Sequence, residues 1–299
     1  MPLVTVVITT FNRERYLPSA IRSVLNQTMP DFELLILDNS SSDGTEQVVK
    51  SFDDPRMRHI RHPPITIGAQ RNLGLREARG EFVAFLDDDD EWLPAKLERQ
   101  LGVFRNGPPD LALVYGGFVR IDSEGREFAT HRPVLQGRIL LDLLWHRDAF
   151  TGSASNPLMK VSFLRGLGGY NDELCTSEDW ELYLRLAERY VIDFAPDSVV
   201  WIRSHRGPRL GDRVSDALKV EELVLERYSS VMSPQLRSYY LQKIGGKLCR
   251  IGYPQQARTR LREAIREYPL NLVAYGQLAV TIVGPDLYRQ AHGLYKKFS

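Results

Sequence analysis

The sequence predicts an α/β fold: a mostly parallel mixed sheet flanked by helices, with a helical appendage at the C-terminal end. Three observations carry this. Short runs of β-branched and other apolar residues recur through the first third of the chain. Stripes of apolar residues at helical spacing alternate with them. From about Asp212 onward only the helical pattern remains.

The elements follow in order. Residues 3–10, LVTVVITT, form a β-branched run that reads as a buried strand. Leu17, Ala20, Ile21, Val24 and Leu25 then fall on one helical face, with Pro18 near the start, where its missing N–H does no harm. FELLIL (32–37) is a second buried strand, and Asp43 is placed to cap a short helix running to Phe52. RMRHIR (56–61) is a weaker third strand. Residues 68–79 read as a helix stopped by Gly80, EFVAFL (81–86) as a fourth strand, and Leu93, Leu97, Leu101 and Phe104 as the stripe of the next helix. Strands alternating with helices imply right-handed crossovers and a largely parallel, Rossmann-like half over roughly residues 1–105.

The second half is mixed. LALVYGGFVRI (111–121) reads as a strand that its glycine pair can bulge. Residues 137–147 look helical, and SEDWELYLRLAER (177–189) is a helix capped by Ser177 or its neighbour. Residues 190–205 hold two strand-like pieces parted by a Pro-Asp-Ser turn. Within the terminal helices, Ala257, Leu261, Ala264 and Ile265 share one face of a single helical-repeat-like pair. The expected division is 1–211, with halves 1–105 and 106–211, followed by a helical region 212–299.

Bulk properties narrow the class. The chain has 299 residues and a formal net charge of +1, so no polyelectrolyte signature points to a nucleic-acid partner. Cys175 and Cys249 match no metal spacing and make no disulfide framework. No signal-peptide pattern is present at the start, and the apolar runs are too short to span a bilayer, so a cytoplasmic protein is expected. Peripheral association with the inner face of the membrane stays open.

The chemistry-bearing stretch is EFVAFLDDDDEW (81–92), where a buried strand runs into four aspartates. Two carboxylates about 4 Å apart repel by about 4 kcal/mol at an effective dielectric near 20, so something must offset the run. In open α/β sheets, ligands bind outside the carboxyl ends of the strands. Three such ends here are polar: TTFNR, DNSSSDGT and DDDDEW. No G-x-G-x-x-G follows the first strand, which removes the ordinary dinucleotide fingerprint. Clustered carboxylates at a strand end suit Mg²⁺ or Mn²⁺ completed by phosphate oxygens. A solvated acidic helix entry is the competing reading.

Four segments, VTVVITTFNRERYLPSAIRSVLNQT, FELLILDNSSSDGT, GAQRNLGLREARGEFVAFLDDDDEW and GGYNDELCTSEDWEL, together resemble family 2 glycosyltransferases of the GT-A fold over roughly residues 3–205. The resemblance implies an inverting, metal-dependent enzyme. It would move a sugar from a nucleotide-diphosphate donor, uridine above all, to a carbohydrate or lipid-linked hydroxyl in glycan assembly. It assigns Thr9, Thr10, Phe11, Arg13, Asp38 and Asn39 to the nucleotide. Asn39 stands where the family commonly has an acid, which puts the base in doubt. Arg71 is implied near the base and diphosphate, with an exposed helix charge as the alternative. In the aspartate run, Asp89 is implied as the metal ligand, Asp88 near the ribose, and Asp87 supporting both; Asp90 is read as starting the next helix. Asp179 is implied as the general base, with Glu178 shaping the acceptor side; two acids favoured by a helix start fit the same residues. His205 is implied at the metal or the diphosphate, and Arg206, Arg209 and Arg213 as a cationic lid. The rival readings are a nucleotidyltransferase, which would normally carry a glycine-rich phosphate loop, and a non-catalytic nucleotide-sugar-binding subunit.

Overall fold

The computed structural model describes residues 1–146, 150–204 and 214–283. The chain divides into two compact units, Met1–Gly207 and Pro208–Ser299. The first is built on strands β1 (Val4–Thr10), β2 (Phe32–Asp38), β3 (Met57–Arg61), β4 (Phe82–Asp87), β5 (Glu91–Trp92), β6 (Leu111–Ile121), β7 (Glu127–His131), β8 (Leu158–Lys160) and β9 (Val191–Arg203). Its helices are α1 (Leu17–Leu25), α2 (Thr45–Lys50), α3 (Ile67–Glu77), α4 (Lys96–Asn106), α5 (Leu140–Trp145), α6 (Val161–Gly166) and α7 (Glu178–Arg189).

The nine described strands form one sheet in the order β3-β2-β1-β4-β8-β6-β9-β5, with β7 beside β6. Strands β3, β2, β1 and β4 are parallel; β1, β2 and β4 are the buried apolar runs expected of such a sheet, while β3 at its edge is only half-buried. The short β8 runs antiparallel between β4 and β6. Register levels the ends that matter: Thr10 lies opposite Asp38, and Thr9 opposite Asp87. Three polar strand ends therefore open on one edge of the sheet.

The predicted stripe of α1 is inside at Leu17, Ala20, Ile21 and Val24, while Leu25 packs half-buried against the same core. Helix α3 begins where the Thr66 hydroxyl accepts the Ala69 N–H at 3.2 Å. It lies so close to β1 that a Cβ on Gly74 would come 2.7 Å from a Val7 methyl.

Several expectations are corrected. Residues 191–203 are one strand, not two; the Pro196-Asp197 stretch is absorbed as a bulge where pairing to β6 steps from Gly116↔Ala195 to Gly117↔Ser198. The glycine pair does mark that irregularity. Asp43 is not the cap itself: Gly44 holds that position, and Asp43 accepts from Thr45 N–H at 3.0 Å one residue earlier. Leu93 lies before α4 rather than in its stripe, because Glu91–Trp92 pair with β9 as β5. The 137–147 helix is the shorter α5, since Gly137 bridges to Ile192.

The second unit contains α8 (Val214–Tyr228), α9 (Pro234–Arg250), α10 (Pro254–Glu267) and α11 (Leu272–Val283). Ser233 caps α9 through Leu236 N–H at 3.2 Å. Ala257, Leu261 and Ala264 of α10 are buried, with Ile265 packed at the margin. A buried carboxylate, Glu221, meets Lys243 at 3.0 Å and Lys247 more closely, so its charge is matched. Both cysteines are free thiols. No helix among the described residues is long and apolar enough to cross a membrane.

Candidate active site

The four aspartates are separated by a tight turn. The Asp90 N–H donates to the Asp87 carbonyl at 3.1 Å, which sends successive side chains in different directions. Asp87 accepts from Arg71 Nη2 at 2.9 Å. Asp88 accepts from Phe11 N–H at 3.4 Å and lies 3.3 Å from Arg13 Nε. Asp90 is buried and accepts from the Ser153 and Ser155 hydroxyls at 3.0 and 2.6 Å and from Arg203 N–H at 2.9 Å. Asp90 therefore does not start a helix; it anchors the turn to the 153–155 loop and to the end of β9. Asp89 stays half-exposed at the turn's tip.

Arg203 braces this turn from the other side. Its Nε donates to the Asp89 carbonyl at 3.1 Å, Nη1 donates to the Asp122 carbonyl at 3.1 Å, and Nη2 pairs with Glu91. Thus the protein itself offsets much of the repulsion. The remainder shows in the direction each carboxyl is pushed. Burial and the Asp89 charge push Asp88 up to about 8, against the pull of Arg13. Burial also raises Asp87 and Asp90, with Asp89 adding to both.

Arg71 is no exposed helix charge: only 4% of it is accessible. Its guanidinium joins Asp87 at the end of β4 to Glu178 at the start of α7. Burial alone would lower its pKa, but the charges of Glu178 and Asp87 more than reverse this, so it stays protonated. Burial raises Glu178 to about 7, with Arg71 opposing and Asp179 assisting. Asp179 is half-exposed, and its Oδ1 accepts the Trp180 N–H at 2.7 Å. Ser177 precedes the pair with φ 60° and no side-chain capping bond, so the sequence-predicted cap is positional only.

On the nucleotide side, Thr9 and Thr10 are buried at the end of β1, and Phe11 is 54% exposed. Arg13 N–H donates to the Thr45 hydroxyl at 3.1 Å, which leaves its side chain to Asp88. Asp38 is fully buried and accepts Ser41 N–H at 2.8 Å, a turn-forming contact. Asn39 grips the Ile65 peptide from both sides, accepting its N–H at 2.9 Å and donating to its C=O at 3.1 Å. An acid at that position could accept but not donate.

Thus Thr9, Thr10, Phe11, Arg13, Asp38, Arg71, Asp87, Asp88, Asp89 and Asp179 all belong to the strand-end region or face it across Arg71. His205, with Arg206, Arg209 and Arg213, lies outside the described residues. Sequence reasoning did not pick out Ser153, Ser155 and Arg203. The bare Ser-x-Ser spacing carries no signal, because its role depends on a partner more than 60 residues away.

No group of three metal-capable side chains converges among the described residues. The donor set still suits a hard cation. Mg²⁺ characteristically takes one or two carboxylates and completes its shell with water and substrate phosphate. Asp89 at the tip, flanked by carboxyls that burial first and neighbouring carboxylate charge second push upward, offers such a partial site.

A mixed sheet with its acidic strand ends on one edge is the architecture of GT-A glycosyltransferases. A *Staphylococcus aureus* TarS fragment, solved with UDP-GlcNAc, superposes with a TM-score of 0.68 at 17% identity, covering 100% of this chain and 93% of that one. A *Pyrobaculum calidifontis* mannosyltransferase, solved with GDP-Man and Mn²⁺, gives 0.57 at 19% identity over 94% and 80%. The sequence is decisive on the family. The glycosyl transferase family 2 model matches residues 5–168, and the chain belongs to that family. An uncharacterized glycosyltransferase of *Methanocaldococcus jannaschii* is 30% identical over 68% of this chain and 71% of its own length. A *Campylobacter jejuni* GalNAc(5)-diNAcBac-PP-undecaprenol β-1,3-glucosyltransferase is 39% identical over 42% of this chain and 40% of its own. A *Rickettsia felis* glycosyltransferase is matched over 34% of its length, so some relatives are much longer than the shared part. The protein is a glycosyltransferase.

Proposed function

We propose that the enzyme is an inverting glycosyltransferase. It moves a sugar from a nucleotide-diphosphate donor to a hydroxyl of a carbohydrate or lipid-linked acceptor. The observation that carries this reading is Arg71. By pairing with Asp87, 16 residues on, and with Glu178, 107 residues on, it ties the acidic turn to the Glu178-Asp179 pair. Donor-side acids and a candidate base thereby belong to one site.

In this reading the acceptor hydroxyl attacks the anomeric carbon from the face opposite the leaving group, and Asp179 takes its proton as the bond to the diphosphate breaks. Asp179 suits the task because it is half-exposed, whereas Glu178 beside it is buried and paired to Arg71. Arg13 and Asp88 shape the nucleotide side. Mn²⁺ or Mg²⁺, held by Asp89 with Asp87 and Asp88 beside it, would supply positive charge for the departing diphosphate. Uridine as the base is supported by the TarS complex with UDP-GlcNAc. A lipid-linked acceptor is supported by the names of the Campylobacter relative and of an Escherichia coli diphosphoundecaprenol glucosyltransferase. In this reading a cytoplasmic protein meets that acceptor at the inner face of the membrane.

Two variants separate the roles. Asp89→Ala should lose both donor binding and turnover. Asp179→Asn keeps its shape but cannot accept a proton, so donor affinity should hold while transfer falls at least ~10²-fold. Calorimetric titration of UDP-sugars with Mn²⁺, beside a nucleoside-diphosphate release assay, measures both. Wild-type transfer by Asp179→Asn would remove Asp179 as base. Normal donor binding by Asp89→Ala would move the ligand role to Asp87 or Asp88.

A further inference from the structure

Around Asp179 the fold buries polar atoms that no described residue satisfies: the hydroxyls of Tyr170 and Tyr183 and Nε of Arg71. Tyr183 lies four residues after Asp179 in α7, on the same face. Helical side chains lean toward the N-terminus, so the Tyr183 ring covers the turn that carries Asp179. The ring is fixed edge-on to Phe150, with centroids 5.7 Å apart. Tyr170 is held as firmly. Asn72 takes its N–H at 2.8 Å and donates to its C=O at 2.9 Å, and Arg71 sits 5.6 Å over its ring.

A buried hydroxyl without a partner is costly, and phenylalanine would fill either space without that cost. Both phenols also lie within electrostatic reach of Asp179 and of each other, since burial and the Asp179 charge together raise both. Among the described residues, the one hydrogen bond to Asp179 is the Trp180 N–H on Oδ1, so Oδ2 is open. Buried unpartnered donors gathered around a carboxylate oxygen are the groups that an ordered water satisfies.

We propose that Tyr183, together with Tyr170, is a positioning residue for Asp179, its hydroxyl joined through an ordered water to Oδ2 so that the carboxylate stays aimed at the acceptor. This rests on the reading of Asp179 as general base. The other groups facing Asp179 are Glu178 beside it, Arg71 from α3, Asp87 from β4 and Tyr170 from the loop before α7.

The test uses the full chain, metal-free and with ¹³C-labelled aspartate, as wild type, Tyr183→Phe and Asp179→Asn. The last variant assigns the Asp179 resonance. Loss of the phenol hydroxyl should raise the Asp179 midpoint by about one pH unit. It should also lower Tm slightly at pH 7, where the ionised Asp179 loses the water-mediated contact, and not at pH values where Asp179 is protonated. A crystal structure of the wild type should show a water within hydrogen-bond distance of both Tyr183 Oη and Asp179 Oδ2. An unshifted Asp179 midpoint in Tyr183→Phe, or a dry Tyr183 hydroxyl, overturns the inference. The base reading is tested separately by the transfer rate of Asp179→Asn. If that variant is inactive while Tyr183→Phe is silent, only the inference falls.

Discussion

Single residues in this site are set against one another by design of the turn, and pH exposes the balance. Asp88 is raised to about 8 and Glu178 to about 7, in both cases by burial first and a neighbouring carboxylate as the further push. A carboxyl raised in the folded state binds more protons there than in the unfolded chain. Its stabilisation is complete below the unfolded value near 4 and is lost as pH rises through the folded value. The acids lowered in the fold, Asp43, Glu46, Asp54 and Asp122, are ionised in both states above about pH 5.5 and do not mask the effect. Burial holds Lys96 well below the ordinary lysine value and so works in the opposite direction, but the raised carboxyls Asp87, Asp88, Asp90 and Glu178 outnumber it. The metal-free enzyme should therefore have a higher Tm at pH 5.5 than at pH 8. Under the proposed cation site, Mn²⁺ should raise Tm more at pH 8, where the ligands are deprotonated, than at pH 5.5. Thermal denaturation at the two pH values, with and without Mn²⁺, checks both. Equal Mn²⁺ stabilisation at both would mean that the cation does not meet these carboxylates.

At the scale of elements, what the sequence disclosed and what it hid have a common cause. Strands β1, β2 and β4 were legible because each is a buried parallel strand, with a continuous apolar run. Helices α1 and α4 were legible from their stripes. The three-residue β8 and two-residue β5 were not, since their pairing to β4, β6 and β9 is non-local and no periodicity fits in so few residues. The same holds in the site. Asp87 to Asp89 announce themselves as a run, and Glu178-Asp179 as a pair, whereas Arg71 gained its meaning only when α3 and α7 came together. The loop holding Thr151 to Asn156 had no readable pattern, yet it anchors the aspartate turn. Asn156 is fully buried and grips Gly116 of β6 through both main-chain groups at 2.8 Å, and the Thr151 carbonyl at 3.0 Å. Asn156→Ala leaves three main-chain groups unpaired in the core and should cost about 3 kcal/mol or more. It should also loosen Ser153 and Ser155 from Asp90, so activity should fall along with stability. Urea denaturation measures the first; a loss under about 1 kcal/mol would show that the loop is held by other contacts.

The whole molecule is two units with separate interiors. The first has the continuous sheet and its core, from Val4 through Ile202. The second has apolar clusters of its own, around Leu218, Ile244 and Leu248 and around Leu241, Leu261 and Ala274. Every described residue assigned to donor or base lies before residue 205, and the family match ends at residue 168. Chemistry and the C-terminal helices are thus separable in sequence, and the first unit holds the whole sheet core within itself. A chain ending at Arg213 retains His205 and the arginine-rich segment and removes α8 to α11. It should unfold in one cooperative transition and bind a UDP-sugar with Mn²⁺ within about threefold of the full chain, a difference below 1 kcal/mol. Transfer to the natural acceptor should drop, because the helices are then left with acceptor handling or association as their task. Circular dichroism melts and calorimetric titration of both chains decide this. A truncated chain that cannot fold would make the helices part of the catalytic core's stability. One that folds but binds donor tenfold more weakly would bring α8 to α11 into the donor site itself.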